Sequence, residues 1–439
     1  MIVTRFAPSP TGTLHIGNLR AALHNWLFAQ RHGGRFLLRI DDTDGARSEE
    51  RFVDAIRADL AWLGLTPDGE ERQSARFDRY EAVFADMVAA GRIYPAYETP
   101  EELDLRRKIL AGRGLPPVYD RAALKLTPED RVRLEGEGRR PHWRFRLDAE
   151  PIVWDDLIRG PQRFDGALLS DPVIRRADGS WLYLLPSIID DVDMGVTHVV
   201  RGEDHVSNTA TQMQMFAAMG ATPPAFAHEA LLTGAEGKLS KRLGSLGIDH
   251  FRDEGIEPEA IVALLARLGT SDPVEPMVDR QALVDGFDFA RFGRAPARFD
   301  EGELAQLNAR IVHQLPFGRV RHALPADMDA AAWEAVRGNL DRVADAADWW
   351  QVVTGTPDAA PVDPADRAFL DAAADIAESV PWESPWAELT AALKAATGRK
   401  GKALFLPLRL ALTGREHGPD MGALLPLIGR ERAVARLRV

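Results

Sequence analysis

Apolar positions in the first part of the chain switch between two periods. Residues 2–6 form a short run suited to a buried strand, Pro8, Pro10 and Gly12 interrupt it, and Leu14, Leu19, Leu23, Trp26 and Leu27 then recur at helical spacing until Gly33 and Gly34. Residues 35–40 repeat the strand pattern and end in the acidic run Asp41-Asp-Thr-Asp44. Residues 48–63 are amphipathic, with Phe52, Ile56, Leu60 and Leu63 on one face before Gly64. Strands alternating with helices predict an α/β fold with a parallel sheet covered on both faces. The pattern stops at Tyr94. Up to Ser180 the chain is Pro-rich, with a charged helix predicted over 100–110 and with Trp143, Phe145 and Leu147 alternating as in a strand. This stretch reads as an α+β domain inserted into the parallel-sheet domain. The first pattern resumes near Trp181, with strands over 197–201 and 226–232 and a helix over 208–219. Beyond Asp249 almost everything reads helical, and Ala-rich segments at 330–353, 364–379 and 386–396 fit an α-helical bundle. The expected division is 1–93 with 181–242, 94–180, 243–310 and 311–439.

Composition narrows the class. A chain of 439 residues, 45% hydrophobic, is long enough for several cores. No early apolar run suits a signal peptide and none approaches a membrane span, so a cytoplasmic protein without membrane attachment is expected. The absence of cysteine excludes disulfides, thiolate catalysis and cysteine-bound zinc. The net charge of −12 argues against a nucleic-acid partner until its distribution is considered. Between Lys394 and Val439 stand ten Lys or Arg and three Asp or Glu, a basic end compatible with an RNA partner.

Two stretches carry candidate chemistry. The helix expected after the first strand aims its N–H groups and positive dipole end at the loop, which places His15, Gly17 and Asn18 where a phosphate chain binds. Far downstream, Gly237-Lys-Leu-Ser-Lys-Arg242 holds two lysines three apart, suited to a clamp of point charges on phosphates. Arg5 and Arg201 fall at the carboxyl ends of predicted strands, where doubly wound sheets place ligands.

Together these stretches resemble the class I aminoacyl-tRNA synthetases, whose signatures have the forms His-Ile-Gly-His and Lys-Met-Ser-Lys-Ser. Here they read His15-Ile-Gly-Asn18 and Lys238-Leu-Ser-Lys-Arg242. Arg5-Phe-Ala-Pro-Ser-Pro-Thr-Gly12, Arg39-Ile-Asp-Asp-Thr-Asp44 and Val200-Arg-Gly-Glu-Asp-His205 narrow the resemblance to the glutamyl-tRNA synthetases, and Gly401 to Gly414 is similar to the last domain of the bacterial form.

The resemblance implies a Rossmann-like catalytic domain (1–93 and 181–242), an acceptor-binding insert (94–180), a stem-contact helical domain (243–310) and an anticodon-binding helical domain (311–439). It implies L-glutamate, ATP with Mg²⁺, and tRNA-Glu as substrates, with tRNA-Gln left open, and a monomer. Catalytic roles fall on His15, Gly17, Asn18, Lys238 and Lys241. ATP contacts extend to Pro8, Thr11, Gly12, Leu239, Ser240 and Arg242. The glutamate pocket takes Arg5, Ser9, Asp41, Tyr183, Arg201 and Asp204. Asn18 and Asp41 stand where relatives usually have His and Glu. Some bacterial relatives hold zinc through cysteines in the insert; this chain reads Tyr94-Pro-Ala-Tyr-Glu-Thr99 there, so no zinc and no protein metal site are expected.

The chemistry agrees with the residue types. In-line attack of an α-carboxylate on the α-phosphorus of ATP needs positioning and positive charge on the leaving pyrophosphate more than acid–base groups. A glutamate pocket needs arginine forks for carboxylates and an anion for the ammonium. Two other readings share part of the pattern. A nucleotidylyltransferase of the same loop type would be shorter, without the lysine loop and helical tail. A non-catalytic tRNA-binding relative has no need of His15, Lys238 and Lys241 together.

Overall fold

A computed structural model describes residues 1–234, 247–357 and 363–438, with the backbone alone of residues 237 and 238. They form two compact units, one of Met1–His250, Val262–Val274 and Asp279–Asp300, the other of Phe251–Ile261, Glu275–Val278 and Glu301–Val439.

The first unit runs β1 (Val3–Phe6), α1 (Ile16–Arg31), β2 (Arg35–Ile40), α2 (Glu50–Trp62), β3 (Gly69–Arg72), α3 (Phe77–Ala89), β4 (Ile93–Ala96), α4 (Pro100–Gly112), α5 (Pro128–Gly136), β5 (His142–Phe145), β6 (Pro151–Asp156), β7 (Gly160–Asp165), β8 (Val173–Arg175), α6 (Leu184–Asp193), β9 (His198–Gly202), α7 (Val206–Ala218), β10 (Ala225–Glu229), β11 (Leu232–Gly234) and β12 (Gly237–Lys238). β1 pairs parallel with β2, and β2 with β3. β9 pairs parallel with β10, Arg201 opposite His228. Val3 N–H donates to Thr197 Oγ1 at 2.8 Å and Thr197 N–H to Val3 O at 2.9 Å, which seats β9 beside β1. The strand order β3-β2-β1-β9-β10 therefore reverses direction of winding between β1 and β9, where a doubly wound sheet opens a crevice.

Local sequence explains the frame. All four residues of β1 are buried, and Leu19, Leu23 and Leu27 of α1 are at most 1% exposed, each burial contributing about 1.5–3 kcal/mol. Helix α1 stops where predicted. Gly33 adopts φ +57°, and a Cβ on Gly34 would come within 2.4 Å of Ile2 O, so only glycine lets β2 turn back beside β1. On α6, Leu185, Ile188 and Ile189 are fully buried between acidic residues that face inward as well.

The segment between the two halves forms an antiparallel sheet β4-β5-β8 and a β6–β7 hairpin. The hairpin joins the parallel sheet, since Asp156 of β6 pairs in parallel with Phe226 of β10. Thr99 and Thr127 cap α4 and α5 through capping boxes with Glu102 and Asp130, each followed by proline. The region around Tyr94 is tied by polar contacts. Tyr94 hydroxyl donates to Asp171 at 2.6 Å, Tyr119 hydroxyl to Glu98 at 2.7 Å, and the Arg144 guanidinium lies 3.9 Å over the Tyr119 ring.

The second unit is helical from Glu301–Val312 to Arg430–Leu437. The Ala-rich run predicted over 330–353 is two helices, Ala330–Val336 and Ala346–Thr354, separated by short 3-10 turns at Arg337–Asn339 and Val343–Asp345. Trp333, fully buried, anchors the first by donating from Nε1 to Leu315 O at 2.9 Å.

Candidate active site

A cavity of about 490 Å³ opens at the carboxyl ends of β1, β2, β9 and β10, at the winding reversal. Its floor is a buried ion network. Arg39, 1% exposed, donates from Nε and Nη2 to the two oxygens of Asp41 at 2.6 and 3.1 Å, and from Nη1 to Asp191 at 2.8 Å. Arg5 Nε donates to the same Asp191 oxygen at 3.2 Å. Ser187 adds its carbonyl and hydroxyl to Arg39, at 3.1 and 2.9 Å. Burial alone would lower the Arg39 pKa, but the carboxylates of Asp41 and Asp191 raise it above its ordinary value. Burial raises the Asp41 carboxyl, with Arg39 opposing.

Arg201 differs from its neighbours. Its guanidinium meets His228, Thr209 and Gln212, all neutral acceptors, and among the described residues no carboxylate stands within ion-pair distance. Burial, and then the charge of Arg5, pull its pKa down to about 10. An uncompensated buried charge is costly, so an anion entering the cavity would be favoured beside Arg201. Tyr183, 37% exposed although it caps the buried helix α6, and His205, with its ring 6.2 Å from that of Tyr183, complete this wall.

The opposite wall is the start of α1. His15 Nδ1 accepts from the N–H groups of Gly17 (3.2 Å) and Asn18 (3.4 Å), and Asn18 Oδ1 accepts from His15 N–H at 3.3 Å. The histidine is thus an N-cap, and the amides expected to meet phosphate directly are already bonded to its ring. An acceptor at Nδ1 leaves the proton on Nε2, which has no protein partner among the described residues and lies in the cavity wall. Gly17 has a sharper reason than ligand access. A Cβ there would sit 3.1 Å from His15 Cε1 and push the imidazole. The loop before α1 is pinned to the acidic segment, Pro8 O accepting from Asp41 N–H at 3.0 Å and Pro10 O from Glu49 N–H at 3.1 Å.

Known proteins show which family the chain belongs to. The family described as tRNA synthetases class I (E and Q), catalytic domain, matches residues 1–306, and an anticodon binding domain matches residues 320–439. The chain belongs to the class I tRNA synthetases of the E and Q type. Glutamate–tRNA ligase 1 of Rhizorhabdus wittichii is 70% identical over 440 residues, covering 100% of this chain and 99% of that protein. The corresponding ligase of Novosphingobium aromaticivorans is 68% identical, with 99% of each chain covered. A crystal structure of a glutamate tRNA ligase from Elizabethkingia meningosepticum in complex with its amino acid superposes with TM-score 0.86 at 28% identity, over 99% of this synthetase and 98% of that chain.

Of the site residues expected for this synthetase, the cavity brings together Arg5, Pro8, His15, Gly17, Asn18, Asp41, Tyr183, Arg201 and Asp204. Ser9, Thr11 and Gly12 lie on the β1–α1 loop outside its wall. Leu239, Ser240, Lys241 and Arg242 lie outside the described residues, as does the side chain of Lys238. The backbone on both sides of that stretch is placed: Lys238 pairs with Thr233, and Gly247 forms a bridge with His15. Sequence reading missed Arg39, Ser187, His205, Arg20 and Glu229, all of which line the cavity. For Arg39 a signal existed, a charge in the interior of strand Arg35–Ile40, flanked by Phe36, Leu37, Leu38 and Ile40. Glu229 is held by Arg20 at 3.3 Å and by His24, contacts that no spacing announces. Among the described residues, no group of three or more His, Cys, Asp or Glu is arranged to hold a metal, and no helix is long and apolar enough to cross a membrane.

Proposed function

We propose that this synthetase is a glutamate–tRNA ligase whose amino-acid pocket is the cavity beside Arg201. Glutamate and ATP give glutamyl adenylate and pyrophosphate, and the acyl group then passes to the terminal adenosine of tRNA-Glu with release of AMP. The observation that carries the pocket assignment is Arg201 itself. It is a guanidinium facing a cavity among neutral acceptors, with Arg5 alongside, and a dicarboxylic amino acid supplies the missing anions. Full-length identity of 70% to a glutamate–tRNA ligase supports the same reading.

In this assignment Asp41 and Tyr183 face the substrate ammonium and backbone, and Asp41 is oriented by the two-pronged grip of Arg39. His15 offers Nε2–H, and Asn18 its side-chain NH₂, to the phosphates of ATP. Lys238 and Lys241 supply positive charge to the departing pyrophosphate, where charge develops in the transition state. Mg²⁺ arrives with ATP as part of the substrate. Absence of a structural zinc is also proposed. There is no cysteine, and the Tyr94, Tyr119, Arg144 and Asp171 contacts supply a fastening in that region.

The test is charging of separate tRNA-Glu and tRNA-Gln transcripts with labelled glutamate and glutamine. Glutamate on tRNA-Glu is expected, glutamine on neither. Failure to charge tRNA-Glu with glutamate would overturn the assignment, and glutamate on tRNA-Gln would add a second acceptor.

A further inference from the structure

A cation without a counter-anion has to be aimed by groups that do not compete with its ligand. Arg201 Nη2 donates to Thr209 Oγ1 and Gln212 Oε1 of α7, both at 2.7 Å, and Arg201 Nε donates to His228 Nε2 at 3.3 Å. His228, on β10, is fully buried. Its other nitrogen, Nδ1, bonds the Oδ2 of Asp156, which β6 brings in from the hairpin inserted beside β10. Asp156 is held in turn, its Oδ1 accepting from the backbone N–H groups of Ile158 (3.1 Å), Arg159 (2.9 Å) and His228 (3.1 Å).

Donor and acceptor rules fix the imidazole. An ionised carboxylate only accepts, so the ring proton is on Nδ1 and the lone pair on Nε2. The two remaining neighbours of Nε2 agree, since both the Arg201 Nε–H and the Thr209 hydroxyl, 2.9 Å away, are able to donate to it. A second ring proton would face Arg201. Burial lowers the His228 pKa, Arg201 adds to this, and Asp156 opposes it, the net shift keeping the ring neutral. Arg201 Nη1 is left without a protein partner among the described residues, on a side chain that lines the cavity.

We propose that Asp156 and His228 are positioning residues for amino-acid recognition. Asp156 locks the Nδ1–H tautomer of His228, and the Nε2 lone pair holds the Arg201 guanidinium with its free edge toward the substrate carboxylate. A carboxylate placed directly on Arg201 would neutralise it and compete with glutamate; a neutral imidazole orients the fork and leaves its charge available. This rests on the reading of Arg201 as the substrate's carboxylate receptor.

The experiment measures KM for glutamate and for ATP in tRNA charging by the full-length enzyme. In Asp156→Asn, the amide oxygen stays on the three backbone N–H groups, which puts an NH₂ against His228 Nδ1. The ring proton then moves to Nε2, donor against donor at Arg201. KM for glutamate rises about tenfold to a hundredfold, as for loss of a hydrogen bond to a charged group, while KM for ATP stays at the wild-type value. His228→Gln places a carboxamide oxygen near Nε2 and gives a smaller rise. Asp156→Asn/His228→Gln falls back to the level of His228→Gln alone, because a glutamine acceptor does not depend on residue 156. Should Asp156→Asn fail to fold, His228→Gln against His228→Leu makes the same comparison, with the leucine variant alone showing the large rise. An unchanged glutamate KM in Asp156→Asn, a parallel rise for ATP, additive effects in the double variant, or equal KM for the glutamine and leucine variants overturns the proposal. Arg201→Ala is measured alongside. If it leaves the glutamate KM unchanged, the receptor reading fails; if it raises that KM and Asp156→Asn does not, only the positioning role fails.

Discussion

The two walls of the cavity are built by opposite means. On the side proposed for phosphate, His15, Gly17 and Asn18 hold one another within a single helical turn, through bonds between residues two or three apart and half open to solvent. On the side proposed for the amino acid, Arg5 and Arg39 reach Ser187 and Asp191 across 148 to 186 residues of sequence, Arg39 also gripping Asp41 two residues on, and the group is largely buried. A local cap tolerates small errors, because water replaces what is lost. A buried ion network does not, because each partner left behind keeps its desolvation cost. The wall proposed for phosphate is therefore the adaptable one and the wall proposed for the amino acid the preorganised one, as would suit a substrate that has to be distinguished from glutamine by one charge.

Arg39→Met should break the comparison most heavily. It leaves Asp41 and Asp191 buried without their shared cation, and loss of one partner of a buried pair costs about 3–5 kcal/mol. A lower melting temperature for the unfolding of the catalytic unit, together with weak glutamate charging, is expected; a melting temperature equal to wild type would show that the network contributes little. Arg201→Ala should spare stability and strike function. Truncating one side of a desolvated charge pair costs about 2–5 kcal/mol, on the order of 10²–10³ in kcat/KM for glutamate. ATP affinity should be unchanged, and an undiminished kcat/KM would remove Arg201 from the pocket.

The phosphate wall should respond less. Gly17→Ala places a methyl against His15, and overpacking of this kind costs roughly 1–3 kcal/mol, here shared between helix stability and activation rate. Because the ring is free to swing toward solvent, the measured loss of activation rate should fall well below that of Arg201→Ala. An equal loss would mean that His15 is as rigidly preorganised as the arginines. Smallest of all is the effect of chelation. Dialysis against a zinc chelator followed by restored Mg²⁺ should leave activity and melting temperature intact, and one tightly held zinc per chain on metal analysis would contradict the polar fastening around Tyr94.

The same contrast marks how far the sequence could be read. Every element of the β1–α1 turn was legible, because strand period, proline and glycine breaks, and helical spacing all act within a few residues. His15 was expected to serve phosphate; the structure shows it capping its helix, with Nδ1 on the amides of Gly17 and Asn18. The Ala-rich run over 330–353 was read as one segment although Gly338 and Asn339 break it, and the first helix ends just before them, at Val336.

By itself the sequence determined the α/β and helical halves, the signatures at His15 and Lys238, the freedom from cysteine chemistry, and the strand-end arginines Arg5 and Arg201. Only the tertiary structure decided which arginine is already satisfied and which is not. Arg5 and Arg201 are alike as letters on strands, yet α6 gives the first an aspartate, while α7 and β10 give the second only a hydroxyl, an amide and an imidazole. Charge pairing depends on distances of a few ångströms between residues far apart in the chain, and no local pattern encodes them.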